Sequence, residues 1–258
     1  MPEQLPEYAV RNRDHWTESN SRYTAGRARD AWAKNEIHWG VWHVPEAELR
    51  MLPDVSGRDV IELGCGTGYF GAWLKKRGAR RVVGVDVTPA QLDTARAMNQ
   101  EFALGLEFIE ANAEDVPLPD ASFDVAVSEY GASLWCDPYR WIPEAARLLR
   151  EGGELVFMCS SDLQMVCAPD EEKVAERLVR PLRGMHRLDW TSEGEISTEF
   201  HLAASDMFEL LKRTGFDVTD FRHVYAPEDA VDHPYYSFVP AEWAKRWPAE
   251  EIWRARKR

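Results

Sequence analysis

The residues of this chain best placed to do chemistry cluster around one short stretch. Residues 60–70 read VIELGCGTGYF, with glycine at every second position, Gly64, Gly66 and Gly68, directly after Glu62. Backbone without side chains lets a ligand lie flat against it, where a Cβ would collide. A second carboxylate, Asp86, follows Gly66 at a distance of 20 residues. One carboxylate offers paired acceptors for two neighbouring hydroxyls. Two further polar groups come later, Asn112 to Glu114 and Ser128 to Tyr130. Glu129 is the first candidate for a general base, and His43 and His186 are weaker ones among seven histidines.

Other chemistries fit less well. No histidine pair has metal-ligand spacing such as HExxH, so no metal is expected. Cys65 has no paired histidine in sequence and reads as a packing residue. Gly66, Gly68 and Gly71 satisfy the G-x-G-x-x-G spacing of a dinucleotide site. That fingerprint should begin where the strand ends, at Gly64, and its third glycine would then fall on Tyr69.

The elements that must hold these residues alternate. Val60–Leu63, Arg81–Val85, Leu106–Glu110, Phe123–Ser128 and Glu154–Cys159 read as short apolar strands. Between them, Phe70, Trp73 and Leu74 recur at helical spacing, as do Leu92, Ala95, Met98 and Phe102. Trp141, Ile142, Ala145, Leu148 and Leu149 mark a third helix after Asp137-Pro138. Thr88-Pro89-Ala90-Gln91 has the form of a capping box. Helix Asp206–Thr214 and strands Phe216–Tyr225 and Ile252–Lys257 close the chain, the last able to pair antiparallel at the sheet's edge.

This alternation implies an α/β fold: a doubly wound, mostly parallel seven-stranded sheet with an antiparallel edge strand. Residues 1–58 form an N-terminal helical, aromatic cap, and 59–258 the main domain. Residues 160–200 form an inserted lid after the fifth strand, in which Val174, Leu178 and Leu182 suggest an amphipathic helix. Every polar group named above lies at the C-terminal end of a strand, where ligands of such sheets bind.

Composition narrows the partners. The 258 residues are 45% hydrophobic and carry a net charge of −13. An acidic surface repels phosphate backbones, so nucleic acid is not expected. No apolar run approaches a membrane span and the N-terminus is no signal peptide. Four cysteines without disulfide-like spacing point to reduced thiols and a cytoplasmic protein, and a monomer or homodimer is expected. Four of the 11 tryptophans (Trp16, Trp32, Trp39, Trp42) precede residue 43 and, with RGMHRLDW at 183–190, suggest an aromatic roof.

Glu62-Leu63-Gly64-Cys65-Gly66-Thr67-Gly68 resembles the E/D-x-G-x-G-x-G signature of class I S-adenosylmethionine-dependent methyltransferases. The segments VVGVDVT, FIEANAEDVPLPDASFDVAVSEY and WIPEAARLLREGGELVF resemble the later strands, loops and helix of that family. The resemblance is close over residues 55–160. It implies that Gly64, Cys65, Gly66 and Gly68 surround the methionine part and ribose, and that Glu62 meets the amino group. By the same resemblance Asp86 binds the ribose hydroxyls, Val87 covers the adenine, and Gln91 reaches the ribose. Asn112, Ala113 and Glu114 would read the adenine edge, Ser128 would belong to the cofactor wall, and Tyr23 would cover the cofactor. Relatives often have Asp where Asn112 stands.

The function implied is methyl transfer from S-adenosylmethionine to a small molecule, with S-adenosylhomocysteine as product. The acceptor atom (oxygen, nitrogen or carbon) is open. The rival readings are a cofactor-binding regulator without turnover and, more remotely, a nicotinamide-dependent oxidoreductase.

Overall fold

The computed structural model describes residues 5–192, 195–234 and 236–258; the side chains of Tyr23, Ser192 and Glu195 lie outside the description. The central sheet has seven strands. In chain order they are β1 (Asp59–Leu63), β2 (Arg81–Asp86), β3 (Glu107–Glu110), β4 (Phe123–Glu129), β5 (Leu149–Ser160), β6 (Phe216–Val224) and β7 (Glu250–Lys257). Their order across the sheet is β6-β7-β5-β4-β1-β2-β3. The chain steps outward from β1 to β3, then crosses back to β4 on the other side of β1. That reversal opens a crevice at the strand tips between β1 and β4.

The five strands β1–β5 pair in parallel. β1 is buried throughout, as the middle strand of a sheet covered on both faces must be. β7 runs antiparallel to both β5 and β6. The reversing strand therefore sits one place in from the edge, and β6 forms the edge itself. Successive strand residues point to opposite faces. Val60, Val82 and Val127 pack with Phe70 and Leu74 of helix Tyr69–Lys76 on one side. Ile61, Val83 and Ala126 pack with Trp141 and Ile142 of helix Pro138–Leu148 on the other. The Asp137 side chain caps that helix by accepting from Tyr139 N.

Helices Glu7–Ser19 and Ala25–Ala33 bring the N-terminal residues onto the first of these faces. Trp32 and Trp39 are fully buried there, against Phe102 and Phe70 respectively. These two tryptophans belong to the core of the sheet. A small hairpin, His38–Trp39 with Val44–Pro45, comes next. Glu46 anchors it by accepting from Trp39 Nε1 at 2.6 Å and Leu52 N at 2.8 Å.

The expected helix over Val174, Leu178 and Leu182 is absent. Val174 is buried, but Leu178 and Leu182 are exposed, and residues 168–186 are irregular. Pro169 and Pro181 bracket that segment, and Val174 N is spent on Phe238 O. A helix, Asp162–Cys167, forms earlier, where Ser161 caps Gln164 N. A hairpin, Arg187–Ser192 with Glu195–Phe200, closes the insertion. Asn12 of the first helix exchanges two 2.8 Å hydrogen bonds with the backbone of Thr198, joining insertion and N-terminal helix into one wall.

Candidate active site

The crevice opens into a cavity of about 1230 Å³. Its floor is made by the tips of β1 and β2. Asp86 accepts from Gly66 N through Oδ2 and from Thr88 N through Oδ1, each at 2.8 Å. This carboxylate, not a Thr88 cap, organises the start of helix Pro89–Phe102, since the Thr88 side chain makes no cap bond. Burial pushes the Asp86 pKa up, and the hydrogen bonds it accepts oppose that. Gln91 does not complete the expected capping box. Its Oε1 is buried without a partner, beside Gly66. Glu62 accepts from Gly71 N at 2.9 Å, and burial holds its pKa well above the usual carboxylate range.

The glycines of the motif serve different ends. A Cβ on Gly64 would lie 2.5 Å from Ala132 N, so this glycine lets two backbone segments touch. One on Gly68 would strike Phe108, and one on Gly71 would strike the Glu62 carboxylate. Gly66 alone of these four has room: its nearest neighbour would be Gln91 Oε1, at 3.7 Å.

The roof comes from distant parts of the chain. Glu129 accepts from Gly40 N at 3.0 Å and from Tyr69 OH at 2.7 Å. Glu250, at the start of β7, accepts from Val41 N at 2.7 Å and Tyr130 OH at 2.9 Å, all through Oε1. Gly40 is required here, because a Cβ would lie 2.2 Å from that oxygen. Burial raises the Glu129 pKa and pushes Glu250 up to about 8. Trp16 and Trp135 meet edge to face on another wall, beside His15. Trp42 and Trp190 also line the cavity, so part of the expected aromatic roof lies there.

Of the residues singled out in sequence, Glu62, Gly64, Cys65, Gly66, Asp86, Val87, Gln91, Asn112, Ala113, Glu129 and His43 line this cavity. Four do not. Gly68 turns into packing against Phe108 and Ala95. Glu114 is committed to Tyr8 OH, Asp137 N and Arg140, a link between the first helix and the loops behind the sheet. Ser128 is fully buried, donating to Leu63 O and accepting from Ser133 N, where it shapes the β4 exit from within. His186 binds Asp137 through Nε2 at 3.0 Å, outside the cavity. The Tyr23 side chain lies outside the described residues. Asn112 lines the cavity with its amide engaged by Glu114, Oδ1 accepting from the backbone N–H.

His43 sits in a left-handed conformation, with φ of 53°. Burial and neighbouring Lys34 lower its pKa to about 4, so the ring is neutral at pH 7. Cys65 is a buried thiol whose pKa burial raises strongly, which makes it unreactive. Among the described residues one group could hold a metal ion: Asp162, His223 and Glu251, with ligand atoms within 4.8 Å of one another. None of the three lines the cavity. Sequence reasoning missed Tyr69 and Glu250. Tyr69 stands directly behind the glycine run, whereas nothing in the sequence around Glu250 marks it.

A doubly wound sheet with a glycine turn after β1, a carboxylate at the β2 tip and a cavity at the switch point defines a nucleoside-cofactor-binding α/β protein. Residues 61–157 match a family model described as a methyltransferase domain. A protein of Mycolicibacterium smegmatis named "Probable S-adenosylmethionine-dependent methyltransferase/" is 33% identical over 177 residues. That match covers 68% of this chain but only 58% of the relative. The crystal structure of an S-adenosylmethionine-dependent methyltransferase from Mesorhizobium loti is 25% identical, with a TM-score of 0.66 over 82% of this chain and 96% of that one. A Burkholderia thailandensis 1,6-didemethyltoxoflavin-N1-methyltransferase, solved with 1,6-didemethyltoxoflavin and S-adenosylhomocysteine, shares the fold. Its TM-score is 0.57 at 17% identity, covering 100% of this chain and 92% of that one. Residues 61–157 thus match the methyltransferase domain, the chain is similar to class I S-adenosylmethionine-dependent methyltransferases, and S-adenosylmethionine is the cofactor of that family.

Proposed function

We propose that this chain transfers the methyl group of S-adenosylmethionine to a small molecule. The observation that carries the reading is the floor of the cavity. Beside the one motif glycine with open space lie an unpartnered, buried Gln91 Oε1 and the Asp86 carboxylate. A ribose supplies the missing donor for Gln91 and hydroxyls for the remaining lone pairs of Asp86. No phosphate-binding role is asked of this floor, and a carboxylate facing a bridging phosphate would oppose it.

In this reading the Gly64–Gly66 backbone and Cys65 border the methionine part, and Glu62 receives the amino group. Val87 covers the adenine face, and Asn112 and Ala113 border its edge. When bound, the cofactor supplies an electrophilic methyl on a sulfonium. The chain's own contribution is to align the acceptor in line with the carbon–sulfur bond and to keep water out. Glu129, Tyr69 and Glu250 form the wall on which the acceptor would rest. The volume, about 1230 Å³, exceeds the range usual for one small ligand, which suits a cofactor and an acceptor together.

Small-molecule acceptors accord with the toxoflavin-precursor methyltransferase of the same fold. Residues 1–58 act as a cap that closes the cavity, and 59–258 as the catalytic domain. No helix among the described residues is long and apolar enough to cross a membrane. The four cysteines are free thiols, which supports a cytoplasmic location. The test is methyl incorporation from labelled S-adenosylmethionine into a metabolite panel. Label in a small molecule, dependent on Asp86, supports the proposal. Cofactor binding with no transfer to any compound would instead favour a regulator.

A further inference from the structure

The roof of the cavity holds two carboxylates without a cation. Glu250 is 1% exposed, and its Oε2 has no hydrogen-bond partner. Glu129, at the tip of β4, has both oxygens occupied by neutral donors, Gly40 N and Tyr69 OH. Neither is paired with a lysine or arginine among the described residues, and Glu129 disfavours the charge on Glu250. Of the basic side chains that line the cavity, Lys173 is held by Asp232 and Arg22 by Glu18, while Lys34 and Arg27 stand where their charge acts on His43. Buried carboxylates left unpaired carry a heavy desolvation cost, which a bound cation relieves.

Two tyrosines adjoin the same spot, and further aromatic rings line the cavity. Tyr69 and Tyr130 touch the two carboxylates directly, and Trp42, Tyr236 and Phe238 line the cavity. Ring faces beside carboxylates attract ammonium groups. A carboxylate- or phosphate-bearing acceptor seated here would suppress ionisation of both glutamates and gain no ion pair from them.

We infer that the acceptor is a small amine, seated with its nitrogen toward Glu250 Oε2 and against the tyrosine and tryptophan rings of the roof. This rests on the methyltransferase reading and names its substrate class. In the transfer step, the ammonium gives a proton to Glu250, and the freed nitrogen lone pair forms the new nitrogen–carbon bond. The carbon–sulfur bond breaks with its electron pair going to sulfur, and the positive charge reappears on the methylated nitrogen. Glu250 returns its proton to solvent as product leaves. With its carboxyl pushed up to about 8, Glu250 becomes the ionised acceptor of that proton as pH approaches 8 or once an ammonium beside it favours the charged form.

The test uses the full chain saturated with S-adenosylhomocysteine. Aryl-alkyl primary amines, each matched with its alcohol and its carboxylic acid, are titrated by calorimetry. Amines are expected to bind about 10-fold more tightly than their matched compounds. E250Q should remove that preference while S-adenosylhomocysteine affinity stays within about threefold, since Glu250 bonds to Val41 and Tyr130 and not to Gly66, Asp86 or Gln91. Equal or tighter binding of acids or alcohols, no binding of any amine, or an unchanged preference in E250Q would overturn the inference. If wild type fails to bind S-adenosylhomocysteine, the cofactor reading has failed instead. Should E250Q not fold, phenyltrimethylammonium binding to wild type between pH 6 and 9 decides. Affinity should rise with pH as Glu250 ionises beside Glu129 and Tyr130, and a flat profile would contradict the amine site.

Discussion

On the floor of the cavity, Gly66 N meets Asp86 Oδ2 across 20 residues of sequence; on the roof, Val41 N meets Glu250 Oε1 across 209. Both contacts join a backbone amide to a carboxylate at a strand tip. They differ in what surrounds them. The floor is a local unit of strand, turn, helix and strand, and any chain that builds it will bring those atoms together. The roof exists only once β7 has inserted between β5 and β6 and the N-terminal hairpin has docked on the sheet. A cofactor site can thus be written in a short motif. The roof, which we propose selects the acceptor, is assembled from residues far apart in sequence, which leaves it free to vary without disturbing the motif.

Substitutions can break this contrast. The largest effect is expected from Asp86→Ala, which removes the hub of the floor. S-adenosylhomocysteine affinity, measured by calorimetry, should fall about 100-fold or more, because hydrogen bonds to a charged acceptor are worth about 1.5–3 kcal/mol each. Unchanged affinity would remove Asp86 from the site. Next comes a paired comparison within the glycine run. Gly64→Ala places a Cβ against the Ala132 backbone at a φ of 77° and should cost about 3 kcal/mol or more in denaturant unfolding. Gly66→Ala meets open space and should cost only about 1 kcal/mol, the strain of its left-handed backbone. Its main effect should fall on cofactor affinity. Equal destabilisation by both would mean that Gly66, too, is there for the fold.

Much of the floor is legible in the sequence because its signals are local. Glycines at strand ends, an acidic residue one strand on and helical periodicity between them all fall within about 30 residues of one another, the span of one βαβ unit. Yet the same run conceals a division of labour. Gly64 and Gly68 are glycines because Gly131–Ala132 and Phe108 press on them, and neither neighbour is near in sequence. Glu114 and Ser128 depart from expectation for a related reason. Both stand near strand tips, as their segments imply, but Tyr8 and Arg140 claim one and Leu63 O the other. Glu250 leaves no trace, since an acidic residue opening a strand usually faces water.

The roof should announce itself in the pH dependence of stability. Glu250 and Glu251 are both pushed up to about 8 by burial. A carboxyl whose folded pKa is raised holds its proton longer in the folded state, so stability is lost as pH rises from the unfolded value toward the folded one. Histidines with lowered pKa values, His43 and His15, act in the opposite sense but only below about pH 6.5. Between pH 6.5 and 8 each glutamate should therefore cost the ligand-free chain about 2 kcal/mol. E250Q should flatten part of that slope in denaturant titrations, with Glu251 and Glu62 contributing to the remainder. A slope unchanged in E250Q would mean that Glu250 is not buried as described. The smallest effect is expected from His186→Ala, which touches Asp137 away from the cavity. Cofactor affinity should stay within about twofold, with a stability change within about 1 kcal/mol. A large loss of methyl transfer would return His186 to the site.

The most direct test of the cofactor floor is a calorimetric titration of the wild-type chain with S-adenosylhomocysteine, alongside one with oxidised nicotinamide adenine dinucleotide. One S-adenosylhomocysteine should bind per chain, with no measurable heat from the dinucleotide. Binding of the dinucleotide alone, or of neither, would contradict a floor built for a phosphate-free nucleoside.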